Sequence, residues 1–523
     1  MSDRHLPWLV AALVGGMLLS WLLIVPPGAQ PDEHSHLVRS GALVLRADGD
    51  DGFYLLPDRY LMTDPGCYAF DPFAPATCAE PPAPTGDDVV VLTRADDYPL
   101  GGHLLTGAAT LLPGLDPVWW ARLVTAAVAT VFVTAAVVLA LRRSRLLAGA
   151  LLVALTPMAW SSLPSANPST YAIAGAAALW VALLTTAPRE RITPWVAWLI
   201  AAGWTSLVVS RRDGLVWACI IVFAVAVYRR SELLDLGRRL LIGPLAVAGT
   251  ATASTLVWGL TSDSRTSQLV VVAPIALALA ELVRQRSGAI PPEARWWMVG
   301  IGAATALVAW PLVVSTRGGG WDTDLTVAII NQTDDNLVEA IGRLGWLDAP
   351  IPAFAVYAWL LVIGGAIAYA LITDQRGLVV AGSVVAVAAV SSWTFELLQD
   401  NDSGTYWQGR YSLPLLIGAP LLLVAAPSDA RGPTIARFAR QLAVWAAVTG
   451  VAVVNLGAWA AARRWGVGLD GSYLPWRWDT ALQPVAPLLP LVVLAACSVA
   501  LAVVILVSPQ SAGEDRADDP AVA

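Results

Sequence analysis

Pro31-Asp32-Glu33-His34-Ser35-His36 sets adjacent carboxylates and alternate imidazoles just after the first apolar run of the chain. Neighbouring carboxylates at an apolar boundary repel one another and are partly desolvated, so at least one is expected to be tuned toward base chemistry, such as activation of a hydroxyl. An acidic, solvated loop start would look the same, and spacing alone leaves both readings open. Asp32, Glu33, His34 and His36 could also gather a divalent ion. His103 is the one further residue that stands out as an extra ligand, so no metal or cofactor is expected. A second run, Tyr406-Trp407-Gln408-Gly409-Arg410-Tyr411, offers a guanidinium fork suited to phosphate oxygens and a glycine that lets a ligand approach the backbone. Its competing reading is an interfacial aromatic belt with one Arg, a serious competitor in a chain with 24 Trp. Arg211-Arg212-Asp213 is the third run: either a site for an anion or a local ion pair. No Walker loop, zinc-type cysteine pair or nucleophile elbow is present.

The elements that must position these residues are membrane helices. The chain has 523 residues, of which 57% are hydrophobic and 14% charged, with a mean hydropathy of +0.63. A soluble domain is about 45–50% apolar and about a quarter charged. The expected fold is an all-α polytopic membrane protein, a single domain over 1–507, with a disordered cytoplasmic tail at 508–523. Apolar runs fall near 6–25, 117–141, 146–163, 170–187, 195–210, 214–228, 240–260, 267–283, 296–314, 353–373, 377–395, 411–427, 441–461 and 485–507. Short runs, and interruptions at Pro157, Pro244 and Pro274, bring the expectation to about 12–14 transmembrane helices. The first run lacks a small-residue cleavage site and reads as a retained helix.

Every basic residue is Arg. With the N-terminus inside, 18 Arg fall in cytoplasmic segments, Arg142, Arg143, Arg145, Arg229, Arg230, Arg437 and Arg440 among them, against 14 outside. Five of those outside lie in the first loop or at its exit. Both termini are therefore expected in the cytoplasm, and Gly28 to Asp116 outside. That segment is too long and polar for a connector and is the functional loop by default. Within it, Tyr98 to Leu112 reads as an interfacial helix. Cys67 and Cys78, alone together in an oxidising compartment, are expected to form a disulfide worth about 2–4 kcal/mol. Further external segments are 316–352, 396–410 and 463–484. The net charge of −7 points to no partner, and nothing suggests nucleic acid.

A first span followed by an external loop opening on Asp32-Glu33 resembles the GT-C membrane glycosyltransferases, which take sugar from a polyprenyl-phosphate donor. The protein O-mannosyltransferases carry Asp-Glu-x-His there, and Ser35 stands at their His position. The sequence is more similar to a bacterial, actinobacterial-type family of unknown function, regarded as GT-C-like, with Pro-Asp-Glu-x-x-His early and Gly-Arg-Tyr-x-x-Pro late. Pro31, Asp32, Glu33 and His36 fit the first motif; Gly409, Arg410, Tyr411 and Pro414 fit the second. Ser165-Ala166-Asn167 and Gly345-Trp346-Leu347 also fit. The resemblance implies inverting transfer, from a polyprenyl-phosphate sugar in the bilayer to a cell-envelope glycan or protein, on the extracytoplasmic face. Asp32 would be the general base, with Glu33 positioning the acceptor or sharing that role. His36, Gln408, Arg410, Tyr411, Arg211 and Arg212 would bind substrate and phosphate. The alternatives are a transporter or flippase of lipid-linked saccharides and a non-catalytic scaffold of an envelope synthase. Charges concentrated at the ends of the apolar runs argue against the transporter.

The topology is testable by cysteine-accessibility labelling on a cysteine-free background. Positions within Gly28 to Asp116 should react from outside in intact cells, and reaction only after permeabilisation would contradict the assignment.

Overall fold

The computed structural model describes residues 4–83, 85–186, 192–230, 240–262, 272–281, 323–398, 406–426, 432–479 and 483–508. The expected span near 296–314 and the tail beyond Ser508 lie outside them, as do parts of the expected external segments at 316–352, 396–410 and 463–484. Among the described residues, six helices are long and apolar enough to cross a membrane: α1 (Leu6–Ile24), α4 (Pro117–Arg143), Ala353–Thr373, Gln375–Glu396, Pro433–Val467 and Leu488–Val507. Shorter apolar helices fill much of the remainder, among them α5 (Arg145–Ala154), α7 (Ser169–Thr185), α8 (Pro194–Ser210) and α9 (Gly214–Arg229). Arg145 donates to the Ser508 carbonyl at 2.8 and 3.1 Å, and Trp8, Arg142 and Trp195 line one groove. The described N-terminal region, the α4–α5 turn and the end of the last helix thus share one end of the bundle.

Two of the apolar runs are broken, one at the expected interruption, Pro157, and one where no break was expected. The run near 146–163 divides into α5 and α6 (Pro157–Ser162), because Pro157 has no N–H to continue a helix. Thr156 caps the restart, accepting from Ala159 N at 3.3 Å and donating to the Ala340 carbonyl at 2.6 Å. The run near 411–427 becomes a 3-10 turn, Gly409–Ser412, followed by Leu413–Leu416 and Gly418–Val424. The Pro414 carbonyl is satisfied by Trp180 Nε1 at 2.9 Å, as broken backbone within a bundle requires.

The first loop departs from the all-α expectation. After α2 (Glu33–Leu45) come β1 (Gly49–Asp50), β2 (Phe53–Pro57) and β3 (Asp88–Leu92), which pair antiparallel in the order β1-β2-β3, before α3 (Gly101–Thr110). Tyr54 pairs with Val91 and Leu56 with Val89. The alternation turns Leu56 and Val91 onto a small core with Leu37, Val38, Tyr60 and Ala121, and leaves Phe53, Leu55 and Val90 outward. Cys67 and Cys78 are bonded between two 3-10 turns. Arg464 gathers this segment against the bundle, donating to the carbonyls of Tyr68 (2.7 Å), Asp71 (3.0 Å) and Ala74 (2.8 Å) and to Asp348 (2.6 Å).

A fully buried ion pair helps tie the loop to the bundle. Glu33 is 0% and Arg122, from α4, 1% exposed, with Nε to Oε1 at 2.7 Å and NH2 to Oε2 at 2.5 Å. Arg122 also donates to the carbonyls of Val25 (2.6 Å) and Pro26 (3.0 Å), and Glu33 accepts from Ala166 N at 3.0 Å. Removing one member strands a buried charge, so Glu33→Gln or Arg122→Met should each destabilise the protein by about 3–5 kcal/mol. The double variant should regain much of that loss in thermal melts in detergent. Additive losses would contradict the pairing.

Candidate functional site

Asp32 and Glu33 are adjacent in sequence yet occupy opposite environments. Asp32 stands at the N-cap of α2 with φ +62°, a left-handed conformation that Asp tolerates better than most residues. Its side chain remains 42% exposed at a cavity of about 280 Å³, while Glu33 turns inward to Arg122. With both oxygens engaged and no exposure, Glu33 has no acceptor within reach. The expectation that it shares the base role is corrected: it positions the loop.

The motif regions singled out in the sequence meet around this loop. Gln30 Nε2 donates to the Ser161 carbonyl at 2.9 Å, and Asn167 Nδ2 to that of Pro31 at 3.3 Å. Trp346 Nε1 reaches the Gly28 carbonyl at 3.0 Å from a turn in which Gly345 has φ +61° and Leu347 φ +63°. Leu347 is a genuine backbone outlier, held where the turn folds over residues 28–29. Arg410 NH2 donates to Asp32 Oδ2 at 2.6 Å and to the Tyr411 hydroxyl at 3.2 Å.

The segment that carries Arg410 is held by buried acids: Glu396 accepts from Trp407 N, and Glu339 from Gly409 N at 2.9 Å. Gly409 is required for space, since a Cβ there would collide with the Asn336 carbonyl and the Ala340 backbone nitrogen. The Tyr411 ring lies between guanidinium groups, Arg211 at 4.5 Å and Arg410 at 5.1 Å from its centroid. Arg211 is forked on Asp213 at 2.8 and 3.1 Å and bonded to Ser169 Oγ at 2.7 Å. Arg212 pairs with Asp97 and lies 4.7 Å over the Tyr98 ring. Gln408 Oε1 is buried without a partner among the described residues.

His36 is buried against Tyr98, edge-on at 4.9 Å, and against His103, stacked at 5.4 Å; His103 Nδ1 shares a hydrogen bond with Ser40 Oγ at 3.1 Å. Burial holds His36 well below 6.5, with His103, Arg410 and Arg211 adding to the effect. Burial, then Arg39, takes His103 to about 3, and burial lifts Tyr98 to about 12. His34 is also lowered by burial, opposed by Asp32, Asp64 and Glu33. At neutral pH these imidazoles carry no charge, so His36 could offer a ligand a hydrogen bond but no cation. Among the described residues, no three His, Cys, Asp or Glu gather as metal ligands.

The arrangement is a half-exposed carboxylate and several guanidinium groups around one cavity, able to take a proton and to hold an anion. Arg94, Asp97, Tyr98, Arg122, Glu339 and Glu396 were not anticipated from the sequence. Arg122 did carry a signal, as a charge inside the opening turns of an apolar run.

Residues 103–419 match the family described as "Predicted membrane protein (DUF2142)". The chain belongs to this family. The matched region takes in Ser165-Ala166-Asn167, Gly345-Trp346-Leu347 and Gly409-Arg410-Tyr411, while Asp32 and Glu33 precede it. No curated protein matches the chain. Among solved structures it is similar to the crystal structure of ArnT from Cupriavidus metallidurans bound to undecaprenyl phosphate, at 13% identity. That alignment covers 97% of this chain and 77% of the other, with a TM-score of 0.38, a level that carries no argument about function.

The lowered histidines predict a pH dependence. The folded state binds protons less readily at His103 than the unfolded chain, so the stability this contributes is complete above about pH 6.5 and lost as pH falls toward about 3. Melting temperature should decline on acidification from about pH 7 to pH 4, and His103→Asn, whose amide can still meet Ser40, should flatten that decline. An unchanged slope in the variant would contradict the assignment.

Proposed function

We propose that this protein is a GT-C-like, inverting glycosyltransferase. Its donor would be a polyprenyl-phosphate sugar and its acceptor a cell-envelope glycan or protein, on the extracytoplasmic face. The observation that carries the reading is the pairing of Asp32, which lines the cavity and is 42% exposed, with the Arg410 guanidinium, 4% exposed. A base that must meet an acceptor hydroxyl needs access, and a group that stabilises a leaving phosphate benefits from a site with little water.

In this mechanism Asp32 takes the proton of the acceptor hydroxyl as that oxygen bonds to the anomeric carbon. The bond from that carbon to the phosphate oxygen breaks, and its electron pair stays on the lipid phosphate. Arg410 stabilises that charge, with the Tyr411 hydroxyl and ring helping to hold its guanidinium. The phosphate leaves as an anion and needs no acid, so one carboxylate, that of Asp32, suffices. Glu33 acts only through the placement of Asp32.

Asp32→Asn keeps the shape of the side chain and removes the proton acceptor. Turnover of a labelled polyprenyl-phosphate sugar should fall by about 10²–10⁴ while donor binding persists. Arg410→Lys keeps the charge but loses the fork, and donor affinity should weaken before turnover does. Full transfer by well-folded Asp32→Asn protein would overturn the base assignment.

A further inference from the structure

The guanidinium groups and carboxylates that line the cavity, counted with their partners, do not balance. Arg211 is matched by Asp213, Arg212 by Asp97 and Arg410 by Asp32. Arg94 also lines the cavity, its residue is exposed, and it forms no hydrogen bond or ion pair among the described residues. The neighbouring acids are committed elsewhere: Asp96 Oδ1 takes Arg39 at 2.8 Å and the Tyr54 hydroxyl at 2.7 Å, and Asp97 takes Arg212. His36 is neutral and adds no charge. The cavity therefore holds one cation in excess, and that cation stands on the side open to solvent.

The turn that carries Arg94 is fixed even though its side chain is free. Thr93 N donates to the Gly52 carbonyl at 2.8 Å, and Thr93 Oγ1 to the Ser35 carbonyl in α2 at 2.7 Å; Ala95 N returns to Thr93 Oγ1 at 3.0 Å. The backbone of Arg94 is thus held against the helix turn that follows Asp32. An unmatched cation attracts an anion without first surrendering a partner, whereas docking on Arg410 must compete with Asp32 for its guanidinium.

We propose that Arg94 is a docking residue for the phosphate of an anionic prenyl lipid, drawing that group in ahead of its contact with Arg410 and adding affinity to it. This deepens the glycosyltransferase reading by assigning its donor contact. Phosphate drawn in by Arg94 would then reach Arg410 and compete with Asp32, leaving the carboxylate free to accept a proton.

The test measures binding to full-length protein in detergent, with farnesyl phosphate as the probe and farnesol and inorganic phosphate as comparators. Wild type should bind farnesyl phosphate with an affinity that falls as salt rises. Arg94→Ala should weaken it by about tenfold or more and flatten the salt dependence, Arg94→Lys should restore most of both, and farnesol binding should not change. Competition by inorganic phosphate against wild type would place the recognition in the phosphate alone. Failure to compete would place it in phosphate and prenyl chain together. Either agrees with the proposal. Unchanged farnesyl phosphate affinity in Arg94→Ala would overturn it, as would an equal loss for farnesol or no binding by wild type. No sugar transfer is involved: binding through Arg94 without transfer would refute the enzyme and keep the docking residue. Transfer by wild type with an unaltered donor KM in Arg94→Ala would do the reverse.

Discussion

Withdrawing a carboxylate and a guanidinium from water costs several kcal/mol per ion, and they remain together in an interior only when their hydrogen-bonding capacity is met. Glu33 and Arg122 meet that condition with two contacts to each other, the Val25 and Pro26 carbonyls for Arg122 and the Ala166 N–H for Glu33. These partners come from the end of α1, the start of α2, α4 and the turn before α7. One buried pair therefore fixes the relative places of the elements that enter and leave the first loop. The orientation of Asp32 follows, because with Glu33 turned inward and φ at +62° the preceding side chain is left toward the cavity.

A second constraint acts on the opposite wall. Glu396 and Glu339 hold the backbone nitrogens of Trp407 and Gly409, which presents Arg410 and Tyr411 to the loop. The Tyr411 ring lies within cation–π reach of both Arg211 and Arg410 and attracts each. Arg211 and Arg410 on this wall thus each have a carboxylate partner and an aromatic face to rest on. The neutral histidines behind Asp32 serve as packing and hydrogen-bonding groups, with Tyr98 between them and the arginines.

The helical, membrane character of the chain was legible because apolar runs of this length have few other destinations. The two polar runs, in the first loop and at Gln408 to Tyr411, also stood out in sequence by residue type and position, and the fold brings them together. The split between Asp32 and Glu33 was not, since it depends on Arg122, 89 residues from Glu33. Nor could local pattern reveal Asp32 with Arg410, 378 residues apart. The break at Pro157 was legible from the proline itself, whereas those around Pro414 and Pro420 were not, because the flanking residues remain apolar. The sheet in the first loop escaped notice because β1 has two residues and β2 and β3 five each, joined across a long disulfide-bearing segment. Arg94 carries no signal in sequence. Its distinction is that the surrounding acids are already taken, which only the fold determines.

The central claim is that a buried ion pair turns Asp32 toward a phosphate site shared with Arg94 and Arg410. Electron cryomicroscopy of the protein in lipid nanodiscs with farnesyl phosphate would test it most directly. The account predicts phosphate density within hydrogen-bonding distance of both Arg94 and Arg410, with the Asp32 carboxylate released from Arg410 and Glu33 still on Arg122. Phosphate density away from this cavity, or an Asp32–Arg410 pair unchanged beneath bound lipid, would contradict it.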